Sequence, residues 1–164
     1  MVWESLIAGA VIGVGGTLLL DVYAWGMANG LRVPMTRWAL VGRWVGLMRH
    51  GQFVQPRLAE AAPVAGEAAI GWGVHYVIGA GYGVGLVAMT GSDWLSSPTL
   101  VEPLVLALML LVLPFLVMMP GMGQGVAAAK SARPWVARWK SVAGHGVFGL
   151  SMYAVALLLA PWVA

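Results

Sequence analysis

With 164 residues, 60% of them hydrophobic and only 9% charged, the chain carries more apolar surface than a soluble domain of its length can hide. The absence of Cys excludes disulfides, thiolate metal sites and Cys nucleophiles. The net charge of +3 points to anionic lipid headgroups and not to nucleic acid, because all nine Lys and Arg residues fall in two stretches, 32–57 and 130–140, set between long apolar runs.

Crossing about 30 Å of hydrocarbon takes about 20 helical residues, and four runs are long enough. They are 5–28, 64–89, 100–119 and 142–163. Lys and Arg near span ends are retained on the cytoplasmic side, so both basic stretches are expected inside and both termini outside. The expected fold is an all-α integral membrane four-helix bundle, N-out and C-out, a single transmembrane domain over 1–164 in contact with the lipid bilayer. Trp3, Trp94 and Trp162 then fall at the outer interface, and Trp25, Trp38, Trp44, Trp135 and Trp139 near the inner one, as an aromatic belt requires.

The first span holds Asp21, about 8 Å to the cytoplasmic side of its middle at 1.5 Å per residue. Gly9 and Gly13 on the same span make a small-xxx-small packing face. Residues 36–50 read as an amphipathic helix in the cytoplasmic headgroup layer, anchored by Trp38, Arg43 and Trp44, with Trp38, Leu40, Val41, Trp44, Val45, Leu47 and Met48 on one side and Gly42, Arg43, Gly46, Arg49 and His50 on the other. Pro56 and Pro63 close that segment before the second span.

The second span brings Glu67 and His75, two turns apart on one face, and the glycines Gly71, Gly79 and Gly83 with Gly81 and Gly85. Glu67 also reads as a first-turn acid that favours a helix N-terminus. Glu102 opens the third span as an outer-side acid, and Pro114 and Pro120 break its far end, so that 114–125, with Gln124, is a candidate mobile or cation-access element. The fourth span carries His145, with Ser141 ahead of it as an expected N-cap.

Ionisable groups within a span cost several kcal/mol unless they face a partner or a cavity. With the basic stretches inside, Asp21, Glu67, His75 and His145 collect in one leaflet and form a candidate buried polar cluster for a cation or ligand. The bland reading stands beside it: each of the four can be interhelical glue, and no metal motif of fixed spacing is present. The first functional reading is a protein that binds or passes a small cation, a proton or a metal ion, at that cluster. A second is an accessory or structural subunit of a larger membrane complex, or a chain that associates with itself through its glycine faces. A third is a haem- or pigment-binding membrane protein, since small residues beside a His leave room for a macrocycle. Gly121 to Gly125 lack the Lys-Ser/Thr of a phosphate loop, and no Ser, His and acid arrangement suggests a hydrolase, so an enzyme is the less favoured class.

The chain carries several short motifs: TLLLD at Thr17 to Asp21, GRW at Gly42 to Trp44, HY at His75 and Tyr76, and EP at Glu102 and Pro103. PGMG follows from Pro120, KSARP runs from Lys130 to Pro134, and HGVFG runs from His145 to Gly149 with Tyr153 beyond. In these the chain resembles a family of small four-span bacterial inner-membrane proteins catalogued only as a domain of unknown function. The resemblance covers nearly the whole chain, implies a bacterial inner-membrane location and supplies no established reaction. It singles out Asp21, His75, Glu102 and His145.

Overall fold

Backbone groups in hydrocarbon have no water to bond, so an apolar chain with short connections satisfies them internally as helices. The computed structural model describes residues 2–163 and contains helices and turns, with no strand among the described residues. The main elements are α1 (Val2–Leu31), α2 (Trp38–Met48), α3 (Glu67–Thr90), the short α4 (Asp93–Ser96) and α5 (Val101–Met109). A π-helical turn at Pro114–Met118, the single turn α6 (Met119–Gly121), a 3₁₀ turn at Val126–Ala128 and α7 (Pro134–Val163) follow. Four helical stretches, Val2–Leu31, Glu67–Thr90, Val101–Gly121 and Pro134–Trp162, are long and apolar enough to cross a membrane, which makes this a multi-pass membrane protein. Residues 1 and 164 of the expected 1–164 domain lie outside the described residues.

The span limits differ from the apolar runs for local reasons. α1 continues to Leu31, where Arg32 turns left-handed at φ 57° and the Val33 N–H bonds back to the Met27 carbonyl at 3.2 Å, a left-handed end followed by Pro34. α7 starts at Pro134, where a first-turn proline loses no helical hydrogen bond, and not at 142. Ser141 is therefore inside α7, which corrects its expected role as an N-cap. In the third span Pro114 has no N–H for the Leu110 carbonyl, which accepts from Leu113 at 3.0 Å instead; the next turn widens until the Met119 N–H reaches the Pro114 carbonyl.

The chain forms two compact units, one of residues 1–35, 76–109 and 143–164, the other of 36–75 and 110–142. In the first, α1 and α3 meet backbone to backbone. A Cβ on Gly13 would strike the Gly79 carbonyl, and one on Gly83 the Gly9 carbonyl, so only glycine permits this approach. The other side of α1 receives Met152 and Phe148 of α7 at Gly16, and Gly149 of α7 seats against Pro103 and Leu104 of α5. Ile12, Leu86, Ala107 and Met152 form the fully covered centre of that unit's core.

In the second unit α2 lies on the first turns of α3. A Cβ on Gly42 would strike the Glu67 carbonyl and one on Gly71 the Trp38 carbonyl. Val41, Trp44, Leu58 and Met122 form its core. Of the nine basic residues, Arg32 alone falls in the first unit and the other eight in the second.

Candidate functional site

The close approach of α2 to α3 at Gly42 and Gly71 carries Arg43 to the start of α3. Its Nε and one terminal nitrogen each donate to a different oxygen of Glu67 at 2.8 Å, and its other terminal nitrogen donates to the Ala61 carbonyl at 2.8 Å. Glu67 also accepts the Val64 N–H at 3.0 Å, which ties the turn ahead of α3 to its first residue. With 11% and 18% of their side-chain surfaces exposed, the two charges satisfy each other and the carbonyls of the connecting segment. The hydrogen bonds to Glu67 push the Arg43 guanidinium up from its ordinary value, so it stays charged.

Beside this pair stands an aromatic clasp. The His75 ring stacks on Trp38 with centroids 3.9 Å apart and planes 23° apart, and Trp72 meets it in an edge-to-face arrangement with centroids 5.8 Å apart. His75 is one turn from Gly71, so the contact that brings α2 to α3 also delivers Trp38 over the imidazole. Trp44, expected as a lipid anchor, is 8% exposed, packs against Gly121 and donates its indole N–H to the Phe53 carbonyl at 2.9 Å. Gln124 lies in the turn after α6, where its carbonyl accepts the Lys130 N–H at 2.7 Å.

In the first unit, Asp21 accepts a 2.8 Å hydrogen bond from the Tyr76 hydroxyl, at the end of the glycine contact between α1 and α3. Thr17, one turn earlier and buried, donates to the Gly13 carbonyl at 2.8 Å and covers Gly79. Asp21 thus closes a row of contacts that runs from Gly9 through Gly13 and Thr17. Glu102 is bonded by the Thr99 hydroxyl and by the Trp94 indole N–H at 3.3 Å, at the rim of a shallow apolar groove of about 270 Å³ between Thr90 and Met109. His145 is half-buried in α7 between Gly144 and Gly146, neither of which has a neighbour within 4 Å of where a side chain would begin.

Of the four residues of the expected cluster, Asp21 and His145 belong to the first unit and Glu67 and His75 to the second. Among the described residues no group of three or more His, Asp and Glu is placed to hold a metal ion. Reading by helical face missed Tyr76 as the donor to Asp21 and Trp38 as the platform for His75. Each pair is far apart in sequence, and helical periodicity relates residues of one helix only. For Arg43 and Glu67 a sequence signal exists, opposite charges facing an apolar bilayer, but not one that says which charge meets which.

No curated protein and no solved structure matches the chain. Residues 10–159 match the profile of a family described as Protein of unknown function, DUF2938, and the Gly13–Gly79 and Gly42–Gly71 contacts, the Arg43–Glu67 pair and the HGVFG run of α7 fall within that match. This four-span chain therefore belongs to the DUF2938 family.

Proposed function

We propose that this protein is a non-enzymatic accessory subunit of a larger bacterial inner-membrane assembly, with both termini periplasmic and α3 as its docking helix. The observation that carries this reading is that α3 bears two glycine faces and only one is used. Gly71, Gly79 and Gly83 receive other backbones of the same chain, whereas Gly81 and Gly85 have nothing within 4 Å of where a Cβ would stand. Val77 and Met89, on the same stripe, are 72% and 71% exposed. Glycine destabilises a helix interior by roughly 0.5–1 kcal/mol relative to alanine, so glycines that no internal neighbour requires point to a helix from another polypeptide. The polar groups agree with a structural role, since Glu67 is matched by Arg43 and Asp21 by Tyr76. A cytoplasmic side for the second unit is supported by its eight basic residues.

The test is purification in mild detergent of the wild type and of a Gly81→Leu, Gly85→Leu variant. The wild type is expected to carry a different polypeptide in stoichiometric amount, and the variant to lose it while staying folded and monodisperse. A lone monodisperse wild type, or a dimer of this chain alone, overturns the reading.

A second reading, binding or passage of a small cation, rests on Asp21, a half-buried carboxylate in an apolar helix with the Tyr76 hydroxyl on it. It requires an ion-dependent response of the purified protein that Asp21→Asn removes while the fold is kept.

A further inference from the structure

Within the second unit, the 52–58 connection and the turn after α6 enclose an open groove of about 580 Å³. Its shape is set by the backbone. The Gln55 N–H donates to the Gly121 carbonyl at 2.7 Å, which docks one wall on the other. Gly123, at φ 80°, lies so close to the Pro56 carbonyl that a Cβ would come within 2.6 Å of it. Gly125, at φ 75°, has the Lys130 side chain laid over it, 3.0 Å from where its Cβ would stand. Ala127 and Ala128 follow at φ 47° and 60°, a left-handed conformation unfavourable for side chains, and Arg138 holds the first of them by donating Nε to its carbonyl at 2.8 Å.

Two cations line this groove, Arg57 from one wall and Lys130 from the other, together with Val54 and Val126. The Arg57 guanidinium is 80% exposed and, among the described residues, pairs with Glu60 through one nitrogen at 3.5 Å, which leaves most of its five N–H donors facing solvent. A planar guanidinium fork paired with a mobile ammonium suits a phosphate group. Val54 and Val126 are 63% and 57% exposed, and a free inorganic anion would gain nothing from them. An amphiphile with phosphate beside glycerol and acyl carbon uses both halves of the lining. We infer that this groove binds the headgroup of an anionic phospholipid, with Arg57 and Lys130 on the phosphate and the two valines against the glycerol end of the acyl chains. The site is independent of the docking face on α3.

The experiment is native mass spectrometry of the purified full-length chain after exchange into detergent containing equal amounts of phosphatidylglycerol and phosphatidylcholine. The wild type is expected to retain phosphatidylglycerol about tenfold over phosphatidylcholine, and Arg57→Gln with Lys130→Gln to abolish most of that preference. Arg37→Gln, which removes a basic residue outside the groove lining, should leave it intact. Adding inorganic phosphate at the lipid concentration should displace nothing. Equal retention of both lipids by the wild type, an unchanged preference in the double variant, an equal loss in Arg37→Gln, or displacement by inorganic phosphate each overturns the inference.

Discussion

Arg43 satisfies three groups at once, both oxygens of Glu67 and the Ala61 carbonyl, and so fastens α2, the connecting segment and the start of α3 together. Removing one member of such a pair leaves the other charge without its partner, which is worse than removing both. Arg43→Ala and Glu67→Gln are therefore each expected to lower the melting temperature in detergent, with the double variant losing less than the sum of the two. Strict additivity would show that the pair is not coupled. Arg43→Lys should behave more like Ala than like Arg, because an ammonium cannot donate two parallel bonds to one carboxylate. The sequence marked Glu67 as a candidate ligand because an acid at the head of a span is conspicuous. It did not reveal that Arg43, 24 residues away, occupies that carboxylate, since the encounter depends on Gly42 and Gly71 letting α2 lie against α3.

At the scale of helices, the glycines of α1 and α3 sort into two kinds that look alike in sequence. Substituting Gly13 or Gly79 by Ala places a methyl group on backbone or on Thr17, and overpacking of this kind costs about 1–3 kcal/mol or more. Gly81→Ala meets open space and should be neutral or stabilising by up to about 1 kcal/mol from helix propensity alone. Melting curves of the three variants in one detergent check this, and equal losses at all three positions would contradict the assignment of faces. The third span shows the limit of pattern reading in another way. Pro114 and Pro120 announced an irregular end, and the widened turn at Pro114–Met118 is that irregularity, but its π-helical form depends on which carbonyls neighbouring N–H groups can reach.

For the molecule as a whole, eight of the nine basic residues collect in one compact unit, and the proposed cytoplasmic side rests on that asymmetry. The natural absence of Cys makes the consequence easy to check. In intact cells Ser97→Cys, in the connection between α4 and α5, should react with a membrane-impermeant maleimide. Ala132→Cys, in the second basic stretch, should react only after permeabilisation, and the opposite pattern would reverse the proposed orientation. What the sequence by itself determined is the four spans, their approximate limits and the segregation of charge, because hydrocarbon thickness and the cost of burying charge act on each segment separately. Only the tertiary structure decided which polar groups meet, which glycines are covered, and that Arg57 and Lys130 line one groove. Those outcomes depend on contacts between residues remote in the chain, and a helical period carries no information about the helix it will meet.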